Sequence, residues 1–129
     1  MSNVFETHGA FSWAELMTTD TVGAKQFYGQ LFGWTFEDMP MEDGEMYNVV
    51  MLGEEKVAGI MAMPAQAEGV PPHWGNYITV TDVDAIASKV TELGGTICVP
   101  PTDIPNVGRF TMFQDPQGAT ISAIQYAHQ

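Results

Sequence analysis

Basic residues are scarce in this sequence: four Lys and Arg stand against 16 Asp and Glu, which gives a formal net charge of −12. Nucleic-acid-binding proteins displace counterions through Lys and Arg contacts with phosphates, so this composition argues against nucleic acid as a partner. An anionic membrane surface would repel the same charge, and cationic ligands would be attracted by it.

Cysteine and long apolar runs are also missing. The single Cys98 excludes an internal disulfide, and its place in the apolar run at residues 96–99 predicts a buried structural thiol. No stretch approaches the ~18 apolar residues of a membrane span, and the N-terminus has no basic-then-apolar signal pattern. These absences predict a soluble cytoplasmic protein, and 129 residues suffice for one well-packed domain.

What the sequence does contain is a repeat with an offset of 62 residues. Asp20 and Asp82 each begin a helix-like stretch that reaches Leu and Gly after 11 and 13 residues. Carried further along the chain, the same offset pairs Tyr47 with Arg109. Two similar halves predict two structural modules, with the function placed between them.

The first half has the pattern of a strand, a helix and three further strands. Apolar and polar residues alternate over residues 10–18, as in a strand, and Thr19 or Asp20 then supplies an N-cap oxygen for a helix. We expect this helix to bury Phe27 and Leu31 against a sheet. The three strands that follow are predicted at residues 34–39, 46–52 and 57–63.

The second half repeats this order after a proline-rich linker at residues 64–73. A helix is predicted from Asp82 to Leu93. A long loop that could overhang a pocket is predicted at residues 100–108. Strands are predicted at residues 74–81, 96–99, 110–114 and 119–126, the last two joined by the type I turn Asp115-Pro116-Gln117-Gly118. The result is one α+β domain over residues 1–129, with module 1 at about 10–63 and module 2 at about 74–126.

This pattern resembles the vicinal oxygen chelate superfamily, which includes glyoxalase I, the fosfomycin and bleomycin resistance proteins and the extradiol dioxygenases. It is most similar to the small glyoxalase-like members, and the likeness runs from about Phe11 to Tyr126. The residues that carry it are Asp20, Phe27-Tyr28, Leu31-Phe32-Gly33-Trp34, Val80-Thr81-Asp82-Val83-Asp84, Leu93-Gly94-Gly95 and Asp115-Pro116-Gln117-Gly118. The resemblance implies two βαβββ modules that form one cup-shaped mixed β-sheet with helices on the outside, and it is compatible with a homodimer.

The resemblance also implies where metal-dependent members would hold a divalent ion. They use His, Glu or Gln on the first and last strand of each module, and the corresponding residues here are Trp13, Ile60, Gly75 and Ser122. None of these is a credible ligand. A reduced site of Glu15 and His73 would have too few ligands, so we expect no metal cofactor.

Glu15 is the leading candidate for chemistry, because it should point to the concave face two residues from Trp13. Buried there, it would suit a general base; near the mouth, it would be a hydrated or paired carboxylate. Trp13 either forms an apolar wall of a ligand site or fills the volume that a metal would occupy. The other candidate ligand-binding residues are Tyr47, His73, Tyr77, Thr79, Arg109 and Ser122.

Most of these candidates also have a structural explanation. His73 fits a solvated loop histidine, and the tyrosines and Thr79 fit packed strand residues. A structural ion pair is the better expectation for Arg109, the only arginine. Four strand methionines would either line an adaptable apolar pocket or fill gaps in the core: Met17, Met61, Met63 and Met112.

Three functions remain after these arguments. The first is a metal-free domain that binds a small, partly apolar molecule in the cup between the modules, in the manner of bleomycin resistance proteins. The second is an enzyme of the same superfamily, a lyase, isomerase or dioxygenase, with Glu15 as general base or with a divalent metal. The third is a structural or regulatory module whose cup is closed by Trp13 and methionines.

Overall fold

The computed structural model describes residues 3–40, 46–63, 71–104 and 107–127, so most of the predicted linker lies outside the described residues. The chain divides into two compact units. The first unit is Trp13–Gly75, and the second unit is Met1–Ser12 together with Asn76–Gln129. No helix within the described ranges is long and apolar enough to cross a membrane.

The first unit contains one helix and four strands in the order β2-β3-β4-β1, with β1 and β4 parallel and the other pairs antiparallel. The Asp20 carboxylate accepts a hydrogen bond from the Gly23 backbone nitrogen at the start of the helix, and Gly33 ends it with φ of 77°. The elements are β1 (Phe11–Thr18), α1 (Thr21–Phe32), β2 (Thr35–Pro40), β3 (Met46–Leu52) and β4 (Glu55–Ala62).

The second unit repeats this plan, with strand order β5-β8-β7-β6 and β5 parallel to β8. Asp82 caps its helix by accepting a hydrogen bond from the Ala85 backbone nitrogen. The elements are β5 (His73–Thr79), whose first three residues belong to the first unit, α2 (Val83–Glu92), β6 (Thr96–Ile104), β7 (Gly108–Gln114) and β8 (Thr120–Tyr126). The α+β class and the two βαβββ modules are therefore confirmed.

The helix α1 contacts the core through a different face from the one predicted. Phe27 and Leu31 are 61% and 57% exposed, and α1 has no buried residue. Ala24 and Tyr28 instead pack against the core, and the Tyr28 ring stacks on Trp34. The prediction for Phe27 and Leu31 was wrong because α1 has apolar residues on both sides and the aromatic contacts of Tyr28 select one of them. The buried core of this unit is Leu16, Val50, Ala58 and Ile60.

The edge strand β6 corrects two further predictions. It continues through Pro100 to Ile104, where a loop was predicted, and irregular pairing with β7 accompanies the prolines. An edge strand tolerates proline because one side of its backbone needs no partner strand. Cys98 is exposed rather than buried, since it alternates with the partly buried Ile97 and Val99.

The strand registers also correct the offset of the repeat. Glu15 pairs with Gly59 in the first unit, and Tyr77 pairs with Ser122 in the second. Glu15 and Tyr77 lie 62 residues apart, but Gly59 and Ser122 lie 63 apart. The counterpart of Ser122 is therefore Gly59 and not Ile60. A shift of one residue reverses the face of a strand, and Ile60 is accordingly fully buried in the core.

Candidate functional site

Trp13, Tyr47 and Glu15 form a hydrogen-bonded chain in the first unit, which we call the polar triad. The Trp13 indole nitrogen donates to the Tyr47 hydroxyl at 2.8 Å, and that hydroxyl donates to Glu15 Oε2 at 2.7 Å. An indole N–H can only donate, so the Tyr47 hydroxyl oxygen is the acceptor of that bond. The hydroxyl proton is therefore directed at the Glu15 carboxylate. The triad therefore holds Glu15 Oε2 as an acceptor in a fixed position.

Strand alternation explains how β1 contributes two members of the triad. Trp13 and Glu15 are two residues apart and share a face, while Ala14 and Leu16 point to the opposite face and pack in the core. Tyr47 belongs to β3, which is separated from β1 by β4. Its side chain must therefore cross β4 to reach the carboxylate.

Gly59 is the residue of β4 that lets Tyr47 cross. A Cβ atom at this position would overlap the hydroxyl and the ring carbons of Tyr47. Gly59 also pairs with Glu15 on one side and Val49 on the other, so it lies between β1 and β3 beneath the triad. Sequence reasoning missed this residue. Its signal was a glycine inside a strand pattern, which often marks the close approach of another group.

Burial makes the Glu15 carboxylate the most informative member of the triad. The residue is only 8% exposed. Removing a carboxylate from water costs several kcal/mol unless hydrogen bonds or charges compensate, and the Tyr47 hydroxyl supplies one such bond. A carboxylate kept on a buried sheet face despite this cost is a strong candidate for a binding or catalytic group.

Methionines line the same sheet face next to the triad. Met17 pairs with Met61, and Met39 pairs with Tyr47. Met17 follows Glu15 by two residues and Met61 follows Gly59 by two, so all of them point to one side of the sheet. Thioether side chains are flexible and fit ligands of different shapes. The face therefore combines one carboxylate with an apolar, adaptable lining.

The residues at the implied metal positions do not fit a divalent ion. With the corrected register, the positions in the first unit are Trp13, Gly59 and Gly75, which provide one N–H donor and no side-chain lone pair for a metal. In the second unit, Ser122 is 8% exposed and supplies a single neutral hydroxyl. Within the described ranges, no group of three or more His, Cys, Asp or Glu side chains is arranged to hold a metal.

His73 makes its hydrogen-bond contact outside the polar triad. It is the first residue of β5 rather than part of a linker, and its side chain is exposed. Its Nδ1 atom lies 2.9 Å from the backbone oxygen of Pro71. The local contact holds the imidazole against its own segment of chain.

Three predicted site residues lie on β5 and β8 of the second unit. Tyr77 pairs with Ser122, and its ring centroid is 6.3 Å from that of Phe110. Thr79 is 4% exposed and donates its hydroxyl proton to the backbone oxygen of Val4 at 2.7 Å. Tyr77 and Ser122 are thus brought together, whereas Thr79 anchors the N-terminal segment.

Arg109 makes ion pairs at the surface of the second unit. Its Nε and Nη2 atoms donate to the two carboxylate oxygens of Asp84 at 3.0 Å each, and Nη1 donates to Asp103 at 2.9 Å. These hydrogen bonds raise the pKa of the guanidinium and hold the pKa of Asp84 below its ordinary value. This is the structural role considered for Arg109 from the sequence.

The Arg109 ion pairs predict a change in stability at acid pH. Because the pKa of Asp84 is lower in the folded chain, its contribution is present above the ordinary value of 3.8 and is lost as pH falls through the lowered pKa. The Arg109→Gln variant lacks these ion pairs. Its free energy of unfolding should therefore fall less between about pH 5 and about pH 2 than that of the wild type. Urea midpoints at both pH values measure this, and equal losses would contradict it. Lys25→Gln, which removes a separate surface pair with Asp38, is the control.

Comparison with known proteins gives a family match and several relatives. The model of the Glyoxalase/Bleomycin resistance protein/Dioxygenase superfamily matches residues 10–123. A Mycobacterium tuberculosis protein provisionally named glyoxylase CFP32 is 44% identical over 119 residues, which cover 91% of this chain and 46% of that protein. Anthracycline biosynthesis protein DauV of Streptomyces sp. (strain C5) is 27% identical over 126 residues, which cover 88% and 46%. The chain thus spans about half the length of these curated relatives.

A solved structure supports the fold. The methylmalonyl-CoA epimerase from Mycobacterium tuberculosis matches with a TM-score of 0.67 over 99% of this chain and 94% of that one. The sequence identity is 15%, so the likeness concerns the fold and carries no conclusion about activity.

Proposed function

The chain belongs to the Glyoxalase/Bleomycin resistance protein/Dioxygenase superfamily, and from this premise we propose that it binds a small, partly apolar molecule without a metal ion. Glu15 of the polar triad anchors the ligand. The observation that carries the proposal is a carboxylate 8% exposed that accepts a hydrogen bond from Tyr47 on a face lined by methionines.

The chemistry of the triad indicates which ligand group meets Glu15. An ionised carboxylate only accepts hydrogen bonds, and the direction of the triad already fixes Oε2 as an acceptor. The ligand therefore carries a donor, a hydroxyl or an amine. Of these two donors, a protonated amine is favoured, because its positive charge is attracted by the net charge of −12 of the chain.

The rest of the ligand is apolar because its surroundings are. Met17, Met61 and Met39 offer thioethers, and Trp13 offers an indole whose N–H is already used by Tyr47. Such a lining gains free energy by removing apolar surface from water, without requiring one fixed shape. The names of the relatives include both a glyoxylase and an anthracycline biosynthesis protein, so we define the ligand by chemistry alone.

The absence of suitable ligands at the metal positions supports binding without a metal. Trp13 takes the place of the implied first-strand ligand, and its N–H is directed at Tyr47. At Gly59, the space next to the backbone is filled by the Tyr47 side chain. Trp13 is thus a member of the polar triad and Gly59 leaves room for another member, Tyr47, so hydrogen bonds take the place of metal coordination at these two positions.

A binding screen with matched probes tests this proposal. The probes are small phenols and arylalkylamines, which are cationic at neutral pH, and each is paired with its methyl ether or its fully methylated ammonium counterpart, in which the donor is removed. Calorimetry should detect binding of the donors, and Glu15→Gln should weaken it at least tenfold, about 1.4 kcal/mol. Glu55→Gln, which neutralises an exposed carboxylate at the start of β4, is the matched control and should bind as the wild type does.

Three results would decide against the proposal. Equal affinity of Glu15→Gln and wild type would remove Glu15 from the site. A near-stoichiometric divalent ion, found by elemental analysis of protein purified without chelator or affinity metal, would restore metal chemistry. Turnover of a bound probe that Glu15→Gln abolishes without loss of binding would establish the enzyme alternative, with Glu15 as the general base.

A further inference from the structure

A single row of paired residues runs across the sheet of the first unit from Glu15 to Glu37. Glu15 of β1 pairs with Gly59 of β4, and Gly59 pairs with Val49 of β3. Val49 in turn pairs with Glu37 of β2. We call these four residues the transverse row. Residues directly opposite each other in a sheet point to the same face, so Glu37 lies on the face of the polar triad.

The neighbours of Glu37 on β2 support this direction of its side chain. Phe36 packs against the buried core of the first unit, and Asp38 binds Lys25 of α1 at 3.3 Å. Both side chains thus point to the side of the sheet that carries α1. Because side chains alternate along a strand, Glu37 between them points to the opposite side, where the polar triad lies.

The second unit shows that the fold does not require charges at the ends of this row. The equivalent row, found at the corrected offsets of 62 and 63 residues, has no carboxylate, and its members are Tyr77, Ser122, Met112 and Val99. Tyr77 stands in the place of Glu15, and Val99 stands in the place of Glu37. Carboxylates at both ends are therefore a property of the first unit that folding of a module does not explain.

The two ends of the transverse row differ in their contact with water. Glu15 is 8% exposed and is held by Tyr47, whereas Glu37 is exposed on β2, an edge strand of the described sheet. None of the ion pairs between described residues includes Glu37. Between the two ends, Val49 is 3% exposed, and Met39 beside Glu37 is 40% exposed on the same face. The row thus joins a buried anionic end to a hydrated anionic end across an apolar middle.

The separation of the two carboxylates sets the length of a ligand that contacts both. Adjacent strands lie about 4.8 Å apart, so three spacings place the Cα atoms of Glu15 and Glu37 about 14 Å apart. Glutamate side chains of both residues can lean toward each other, and a charged amine approaches a carboxylate to about 2.8 Å. Two ligand nitrogens about 9–14 Å apart would therefore satisfy both ends of the row.

We propose that this site takes a long diamine, with a protonated amine at each end of an apolar spacer of about eight to ten carbons. The inference rests on the proposed function, because Glu15 holds the first amine, and it adds Glu37 as the residue that binds the second. Ammonium groups form charge-assisted hydrogen bonds with carboxylates, and the spacer lies against flexible thioethers. The net charge of −12 attracts a dication more strongly than a single cation.

Calorimetry with a matched pair of probes tests the role of Glu37. The probes are an unbranched diamine with an eight-carbon spacer and the monoamine of the same length. An exposed charge pair changes an equilibrium constant by up to about fivefold, so Glu37→Gln should weaken binding of the diamine about threefold and leave the monoamine unchanged. Glu15→Gln should weaken both probes. A diamine with a three-carbon spacer is too short to reach both ends and should bind Glu37→Gln and the wild type equally.

Asp38→Asn is the matched control for Glu37→Gln. It removes the same charge from the next residue, whose side chain points to α1, and should leave the affinity for the long diamine unchanged. Both side chains are exposed on β2, so both variants should keep the wild-type unfolding temperature. The comparison separates a contact with Glu37 from attraction by the net charge of the chain.

Three results overturn the inference and leave the proposed function standing, provided that Glu15→Gln still weakens the monoamine. The first is equal weakening of the long diamine by Glu37→Gln and Asp38→Asn. The second is an equal loss of affinity for the diamine and the monoamine in Glu37→Gln. The third is equal affinity of the wild type for the three-carbon and eight-carbon diamines. If neither probe binds the wild type, or if Glu15→Gln weakens neither, both the inference and the proposed function fail.

Discussion

Gly59→Ala is expected to lower the free energy of unfolding by about 2–6 kcal/mol. The new Cβ would overlap the hydroxyl and ring carbons of Tyr47, so the ring has to leave its place over β4. Forcing extra volume into a packed site costs about 1–3 kcal/mol. Losing the hydrogen bond from Tyr47 to a buried carboxylate adds about 1–3 kcal/mol. Urea denaturation measures the total.

A double-mutant cycle identifies Tyr47 as the cause. In a Tyr47→Ala background the overlapping atoms are gone, so Gly59→Ala should cost at least 1.5 kcal/mol less, a coupling of about the size expected for residues in contact. In a Tyr47→Phe background the ring remains but the hydrogen bond is already gone, so Gly59→Ala should still cost about 1–3 kcal/mol for the forced volume. An equal cost in both backgrounds would contradict the proposed role of Gly59.

Gly29→Ala is the matched control for the Gly59 experiment. A Cβ at Gly29 would meet the Phe36 ring and the Trp34 backbone oxygen at 3.4 Å, which is close to ordinary contact. Because Gly29 lies inside α1, alanine should leave the free energy of unfolding unchanged or raise it by up to about 1 kcal/mol. The contrast separates the effect of the triad from a general effect of replacing glycine.

Local chemistry explains the parts of the fold that the sequence predicts well. Helix α1 begins after Asp20 and ends at Gly33, and Asp82 caps α2. These positions are predictable because each capping residue interacts only with backbone groups a few residues away. Alternation within β1 likewise places Trp13 and Glu15 on one face. None of these predictions depends on contacts between distant segments.

Long-range contacts explain the parts that the sequence does not predict. The face of α1 is decided by Tyr28, whose ring meets Trp34 and Trp74 from other elements. Tyr47 reaches the triad only because β4 lies between β3 and β1 in the sheet, so that its side chain has a single strand to cross. A periodic sequence pattern does not reveal this strand order. Periodicity shows that a segment is a strand, but pairing decides what it touches.

Register was the hardest feature to predict from the sequence. Equivalent residues of the two halves are 62 positions apart in the first strands and the helices. In the last strands they are 63 positions apart. A change of one residue leaves the strand pattern recognisable yet moves every side chain to the other face. The metal position assigned to Ile60 was therefore displaced from the sheet face to the core, and Gly59 was overlooked.

The corrected register predicts that Ile60→Glu destroys the core instead of restoring a metal ligand. Ile60 is fully buried and packs with Leu16, Val50 and Ala58. The change removes roughly 2–3 kcal/mol of apolar burial and places a carboxylate where desolvation costs several kcal/mol more. We expect a loss of about 5 kcal/mol or more, comparable with the whole stability of a small domain.

Ile60→Val and a metal titration make this prediction discriminating. Valine keeps the site apolar and should cost only about 1 kcal/mol, so a large loss in the glutamate variant alone is due to the buried charge. If the side chain of residue 60 instead faced the triad, a glutamate there would lie near Glu15 and form a pair of oxygen ligands. A folded Ile60→Glu chain that binds manganese stoichiometrically would therefore show that the uncorrected repeat is right. Unfolding without metal binding is the result that the Glu15–Gly59 and Tyr77–Ser122 pairings require.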